Sequence, residues 1–248
     1  MWQLFVLFLF YVFVYQPFFA AGGKQPVDDE DKVSPMKDFR KKHAPPRQNS
    51  TPTTTSVKME LFMWTPLQDI GIQDVPGVGP ATLARLAKHD YVSIKTGEQL
   101  FGLFLYKGRG EEFRTWLKDD CEVQGSVAKQ LHEACLDKAN KVCSTELGGG
   151  GGVAARGRTE TTTQVWNRTP IQDVEIRDVP GVGEKTAPLL ARNKNITTGE
   201  QLFGFFLYLG RDEDRFRSWL KNECEVQGSA AARICNALAE RAREICAL

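Results

Sequence analysis

The sequence predicts an all-α protein of two tandem domains, each of about five helices. A long internal repeat, apolar residues at helical spacing inside each copy, and the lack of a convincing strand run carry that prediction. Thr65-Pro66-Leu67-Gln68-Asp69 recurs as Thr169-Pro170-Ile171-Gln172-Asp173. Thr96-Gly97-Glu98-Gln99-Leu100-Phe101-Gly102 recurs as Thr198-Gly199-Glu200-Gln201-Leu202-Phe203-Gly204. Phe113-Arg114 and Trp116-Leu117-Lys118 return as Phe216-Arg217 and Trp219-Leu220-Lys221. Each copy runs about 80–90 residues, enough for a small domain.

The chain opens on an apolar segment, residues 1–22, in which Met1 to Ala20 carry no charged side chain. Its length suits a bilayer span, and Ala20-Ala21-Gly22 offers small residues for signal cleavage. Basic residues follow the run, at Lys24, Lys37, Arg40, Lys41 and Lys42, as in a signal anchor. Anchor, cleaved signal and a mispredicted first exon all stay open. Residues 23–52 are rich in Lys, Asp, Pro, Gln, Ser and Thr and read as a disordered linker. The first domain covers 53–144 and the second 161–248. Between them, residues 145–160 hold the run Gly148 to Gly152, a flexible tether that lets the two domains meet face to face.

Within the first copy, Thr96 reads as an N-cap with Gln99 completing a capping box. Leu100, Phe101, Phe104 and Leu105 then line one helical face. The next helix carries Phe113, Trp116 and Leu117. Ser126 reads as the cap of a last helix presenting Leu131, Cys135, Ala139 and Val142. Thr198, Gln201, Phe216, Trp219, Leu220, Ser229, Ile234, Leu238, Ala242 and Ile245 repeat the pattern. The tryptophans and phenylalanines are expected in the core, and the cysteines as small buried apolar residues.

Of the 248 residues, 25% are charged and 42% apolar, which suits a soluble globule. The net charge of +1 excludes little, because a nucleic-acid binder need only gather positive charge on one face. Six cysteines without a C-x-x-C pair, beside three histidines, argue against a zinc ribbon or finger. No catalytic triad, nucleotide loop or paired-carboxylate motif is visible. The expectation is a non-enzymatic protein without metal or cofactor.

The functional signal is Asp74-Val75-Pro76-Gly77-Val78-Gly79 and its copy Asp178-Val179-Pro180-Gly181-Val182-Gly183, each between two helical segments. The two glycines are expected to make a tight turn through positive φ and to admit a close neighbour. The helix that follows starts with N–H groups lacking intrahelical partners, which suits phosphate. This pattern resembles the helix-hairpin-helix motif, which implies contact with the DNA backbone rather than with bases.

The hairpin, the Gly-rich helix, the Phe-Arg-x-Trp-Leu-Lys element and the Cys-bearing last helix occur in one order in both copies. In that order each copy resembles the barrier-to-autointegration factor family. The resemblance implies a small helical domain that dimerises and bridges double-stranded DNA without sequence preference. It implies docking of LEM-domain proteins of the inner nuclear membrane, and a nuclear, chromosomal setting. With two copies in one chain it implies an intramolecular pseudo-dimer, a homodimer being the other pairing. In the family dimer the two hairpins face apart, so one particle joins two duplexes. Membrane contact is a further expectation, through residues 1–20.

The resemblance also implies the site. In the first copy the DNA-binding residues are Lys58, Gly77, Val78, Gly79, Ala81, Thr82 and Arg85, with Gly125 and Ser126 at another helix N-terminus. In the second they are Gly181, Val182, Gly183 and Lys185. That copy departs from the pattern. Thr162 replaces Lys58, Leu189 replaces Arg85, and Pro188 stands where a helix interior is expected. Weaker DNA binding by the second copy, or a role mainly as the pairing partner, follows. The rival reading is a partner-docking module, of the LEM-domain kind, with reduced or lost DNA binding.

Overall fold

The computed structural model describes residues 54–88, 93–144 and 162–247. The apolar segment, the linker after it and the Gly-rich tether lie outside the described residues. Both repeats belong to one compact unit, Asn49–Leu248.

The first repeat folds as α1 (Thr54–Trp64), α2 (Pro80–Leu86), α3 (Gly97–Tyr106), α4 (Glu111–Asp119) and α5 (Gly125–Val142). The second follows the same order as α6 (Thr162–Arg168), α7 (Thr186–Lys194), α8 (Gly199–Tyr208), α9 (Glu213–Glu223) and α10 (Gly228–Ile245). Two 3-10 turns lead into each hairpin, Leu67–Asp69 and Ile72–Asp74 in the first and Ile171–Asp173 and Ile176–Asp178 in the second. Among the described residues there is no strand, only the isolated bridges Gly71 to Thr96 and Glu175 to Thr198.

The capping box forms at both expected places. Gln99 N donates to Thr96 Oγ1 at 3.1 Å, and Thr96 N donates to Gln99 Oε1 at 3.3 Å. Thr198 and Gln201 repeat this at 3.1 and 3.3 Å. The expected cap of the last helix is off by two residues. Gln124 and Gln227 hold the cap position with extended backbone, and Ser126 and Ser229 lie inside α5 and α10. The Gln124 carbonyl already accepts from Ala128 N at 2.8 Å, so the helix starts before the serine.

α3 and α8 form the centre of the unit and pack on each other across the seam between the repeats. Gly102 and Gly204 make that approach: a Cβ on Gly102 would lie 2.5 Å from Tyr208 N, and one on Gly204 2.6 Å from Tyr106 N. The contacts are reciprocal, as in a two-fold interface. Tyr106 and Phe205 meet across the seam with centroids 4.9 Å apart and ring planes tilted by 58°. Inside each repeat Phe104 meets Phe113, and Phe206 meets Phe216, edge-on at 5.2 Å. The pseudo-dimer is therefore built within one chain.

All six cysteines are free and buried. Burial pushes the Cys121 and Cys135 thiols up to about 12, so they act as small apolar groups.

Two buried cations lock the first helix of each repeat to the last. Lys138 is fully buried on α5, and its Nζ donates to the Met63 and Thr65 carbonyls at 3.2 and 2.7 Å. Its counterpart Arg241 on α10 donates to the Asn167 and Thr169 carbonyls at 3.1 and 2.6 Å. These carbonyls close the C-terminal ends of α1 and α6, where a cation also complements the helix dipole.

Candidate nucleic-acid interface

The first hairpin turns at Gly77, whose φ of +86° only glycine adopts readily. Its Cα faces α5: a Cβ would sit 3.2 Å from Leu131 Cγ and 3.4 Å from the Val127 carbonyl. The turn closes with Val78 N donating to the Val75 carbonyl at 3.0 Å. Gly79 is different from the expectation. Its φ is −106°, ordinary extended backbone, and nothing lies within 4 Å of where its Cβ would be. Gly77 thus makes the turn, whereas Gly79 leaves open space in front of the chain. The second hairpin repeats this division. Gly181 has φ +94° and packs on α10, and Gly183 faces open space.

The first intrahelical bond of α2 runs from Leu83 N to the Gly79 carbonyl at 2.8 Å. The N–H groups of Ala81 and Thr82 precede it, and Pro80 at the helix start has none to satisfy. The Thr82 hydroxyl donates to the Gly77 carbonyl at 3.5 Å, which braces the turn. Val78 and Val182 are buried in the core at 3% and 4% exposure, so only their backbone could face a ligand.

Lys58 reaches the hairpin from α1. Its Nζ donates to the Gln73 carbonyl at 2.9 Å and the Val78 carbonyl at 3.5 Å. The ammonium thus sits at the turn, held by backbone oxygens and part-buried. Arg85 is engaged as well: its guanidinium donates to the Glu122 carbonyl in the loop before α5. That bond ties the far end of α2 to the next helix, so Arg85 is also a brace. Gly125 and Ser126 are exposed at the start of α5, two and one residues before the Val127 carbonyl that Gly77 abuts. Hairpin and α5 N-terminus therefore share one surface.

In the second repeat the corresponding surface is an open cleft of about 610 Å³. The turn Pro180–Thr186 lines it together with Thr162 and Thr163 of α6 and Arg233 of α10. Lys185 lies exposed on the turn and Arg233 exposed on α10. Arg233 occupies the place of Gln130 in the first repeat, and Lys185 that of Ala81. The positive charge lost at Thr162 and Leu189 is thus re-supplied from two other positions, with Glu184 beside them in place of Pro80. Sequence reading missed Arg233 because it lies far from the hairpin motif; aligning the two repeats through α5 and α10 exposes the exchange. Pro188 breaks nothing. Glu184 and Lys185 form a turn, α7 starts at Thr186, and the proline falls in the first helical turn, where its missing N–H has no intrahelical role. Two other cations of α7 are paired away from the turn, Arg192 with Glu225 at 3.8 Å and Lys194 with Glu223 at 3.0 Å.

A paired set of helical hairpins, each with a glycine held open before a helix, defines a tandem helix-hairpin-helix protein. The family model for barrier to autointegration factor matches residues 53–143 and again 159–245. The chain belongs to that family, with its domain duplicated. No curated protein and no solved structure matches the chain.

Proposed function

We propose that this chain binds double-stranded DNA without sequence preference and bridges duplexes, as a non-enzymatic, chromatin-associated protein of the nucleus. The observation that carries the reading is the open space before Gly79 and Gly183, next to helix starts and flanked by Lys58 in one repeat and Lys185 and Arg233 in the other. A phosphate reaching that space meets backbone N–H groups and a cation, and no base edge is engaged. Family membership supports the same reading.

The test is a mobility shift with a random-sequence duplex over a salt series, comparing the parent with Gly79→Glu and Gly183→Glu. Both positions accept a side chain, so these variants keep the fold while they block phosphate approach and add like charge. Affinity is expected to fall steeply with salt and to be insensitive to sequence. Each variant should weaken binding, and the double variant should abolish it. Unchanged binding by the double variant would refute the hairpin site. Gly77→Ala is the contrasting control, destabilising through its positive φ by about 1–2 kcal/mol.

A second reading rests on a separate cleft of about 250 Å³ at the seam. Leu103, Tyr106 and Trp116 of one repeat and Phe205, Tyr208 and Trp219 of the other line it, with Lys107 and Lys194 also in its lining. A largely aromatic cleft with two lysines in its lining suits a helical partner of the LEM-domain kind, docking in addition to DNA.

A further inference from the structure

α1 is apolar on two opposite sides. Phe62 is buried at 1% exposure, and Met59 and Met63 pack against the core beside it. On the outer side Val57, Leu61 and Trp64 are 48%, 58% and 70% exposed. Their spacing places them on one helical stripe. Among the described residues these three are the large apolar side chains left exposed, and all belong to this one face. The fold does not demand them. In α6, the same element of the second repeat, Arg168 stands where Trp64 is and Val165 where Leu61 is.

Lys58 and the exposed Glu60 lie on the flanks between these two sides, and an apolar stripe left exposed in this way is ordinarily covered. Two observations name the cover. Lys141 Nζ sits 3.5 Å above the Trp64 ring while donating to the Met63 carbonyl at 2.9 Å. A tryptophan capped by a lysine suits the boundary of a bilayer, with the ring at headgroup depth and the cation on the lipid phosphates. In addition, the chain leading into Thr54 carries Met1 to Ala20, uncharged and long enough for the hydrocarbon core; after an acidic run, Asp28 to Asp31, positive charge gathers nearer α1 at Lys37, Arg40, Lys41, Lys42 and Arg47, with Asp38 among them. We infer that the Val57–Leu61–Trp64 face of α1, with Lys141, is a docking surface for an anionic lipid bilayer. Held by a tether, even a small apolar stripe binds at high effective concentration. A second copy of the chain and a protein partner are the competing occupants.

The experiment places an environment-sensitive nitrobenzoxadiazole label on the full chain through Trp64→Cys, with Leu61→Cys as a second site and Arg168→Cys as control. The six native cysteines are buried, so labelling is selective. Circular dichroism melts check that each labelled chain is folded. The chains are reconstituted in phosphatidylcholine vesicles with and without phosphatidylserine. The expected result is a blue shift and quenching by a doxyl-labelled lipid at 64 and 61, stronger with phosphatidylserine and absent at 168. An aqueous spectrum at 64 and 61 in both vesicles overturns the proposal. So does an equal shift at 168, or shielding of 64 that grows with protein concentration in lipid-free buffer. DNA binding, measured on the same chains, is independent of the outcome.

Discussion

Arg109 Nε donates to the Glu200 carboxylate at 2.9 Å across the seam between the repeats. The bond is returned from the other side, where Arg211 Nε lies 2.9 Å from Glu98. Both arginines sit at positive φ, +59° and +58°, just after Gly108 and Gly210, a backbone state uncommon for arginine. The loop conformation aims each guanidinium at a carboxylate that is only 7–8% exposed. Each carboxylate also has a cysteine of the opposite repeat beside it, Cys246 at 3.5 Å for Glu98 and Cys143 for Glu200. The seam is thus held by polar contacts at its two ends and by the glycine crossing in its middle.

Removing one partner leaves a buried charge uncompensated. Arg109→Ala is expected to cost about 3 kcal/mol of unfolding free energy. Adding Glu200→Gln should recover part of that loss, and urea unfolding of the single and double variants measures both. The pH dependence has a definite sign. Burial raises the Glu98 and Glu200 pKa values above 4.5, with their arginines opposing. A folded-state pKa above the unfolded one means stabilisation present at low pH and lost as pH rises through the folded value. From pH 4.5 towards neutrality these two groups should therefore lower stability, and the Glu98→Gln/Glu200→Gln double variant should flatten that slope.

The glycine crossing gives a sharper test. Gly102→Ala places a methyl against backbone atoms of α8, which cannot rotate away as a side chain would. Overpacking of this kind costs about 1–3 kcal/mol. Gly204→Ala meets Tyr106 N and the Gly102 carbonyl in the same way and should cost a similar amount. Calorimetric melting temperatures would show both losses, while Gly125→Ala, with nothing within 4 Å, stays near the parent.

The helices, their order and the capping boxes were legible in the sequence because each rests on local spacing: Thr96 to Gln99, Phe113 to Trp116, Leu131 to Val142. The hairpins were legible as motifs, but the separate tasks of Gly77 and Gly79 were not, since a dihedral angle depends on what the turn packs against. Arg85 and Lys58 read as ligand contacts because charge at a motif suggests a ligand; their backbone partners, Glu122, Gln73 and Val78, lie 15–37 residues away and leave no local signal. The Lys138 and Arg241 clamps recur in register on the buried faces of amphipathic helices. That recurrence was readable, but the carbonyls they serve lie on another element.

The relocation of charge in the second repeat predicts how DNA binding divides. Lys185→Ala and Arg233→Ala should each lower affinity and reduce the slope of log affinity against log salt by about 1. Combined with Gly79→Glu, which silences the first hairpin, they should remove the binding that remains. Bridging, read by pelleting of two differently labelled duplexes, should fail in either single-hairpin knockout. Affinity for one duplex should fall less.

The α1 clamp carries the last prediction. Burial, with Lys141 adding, lowers the Lys138 pKa from 10.5 to about 8. The folded protein therefore binds fewer protons than the unfolded chain between those values, and stability should rise as pH increases through that window. Lys138→Met should remove the slope. It should also leave the Thr65 carbonyl without the Lys138 donor, while the Met63 carbonyl keeps Lys141, a loss of about 1–3 kcal/mol. Arg241→Met should lose a comparable amount at α6 but leave the slope unchanged, because a guanidinium stays charged throughout this range. Urea unfolding of the two variants between pH 7 and 10.5 separates the titratable clamp from the permanent one. Since α1 carries Lys58 to the first hairpin, Lys138→Met should also weaken DNA binding at that hairpin more than Arg241→Met does.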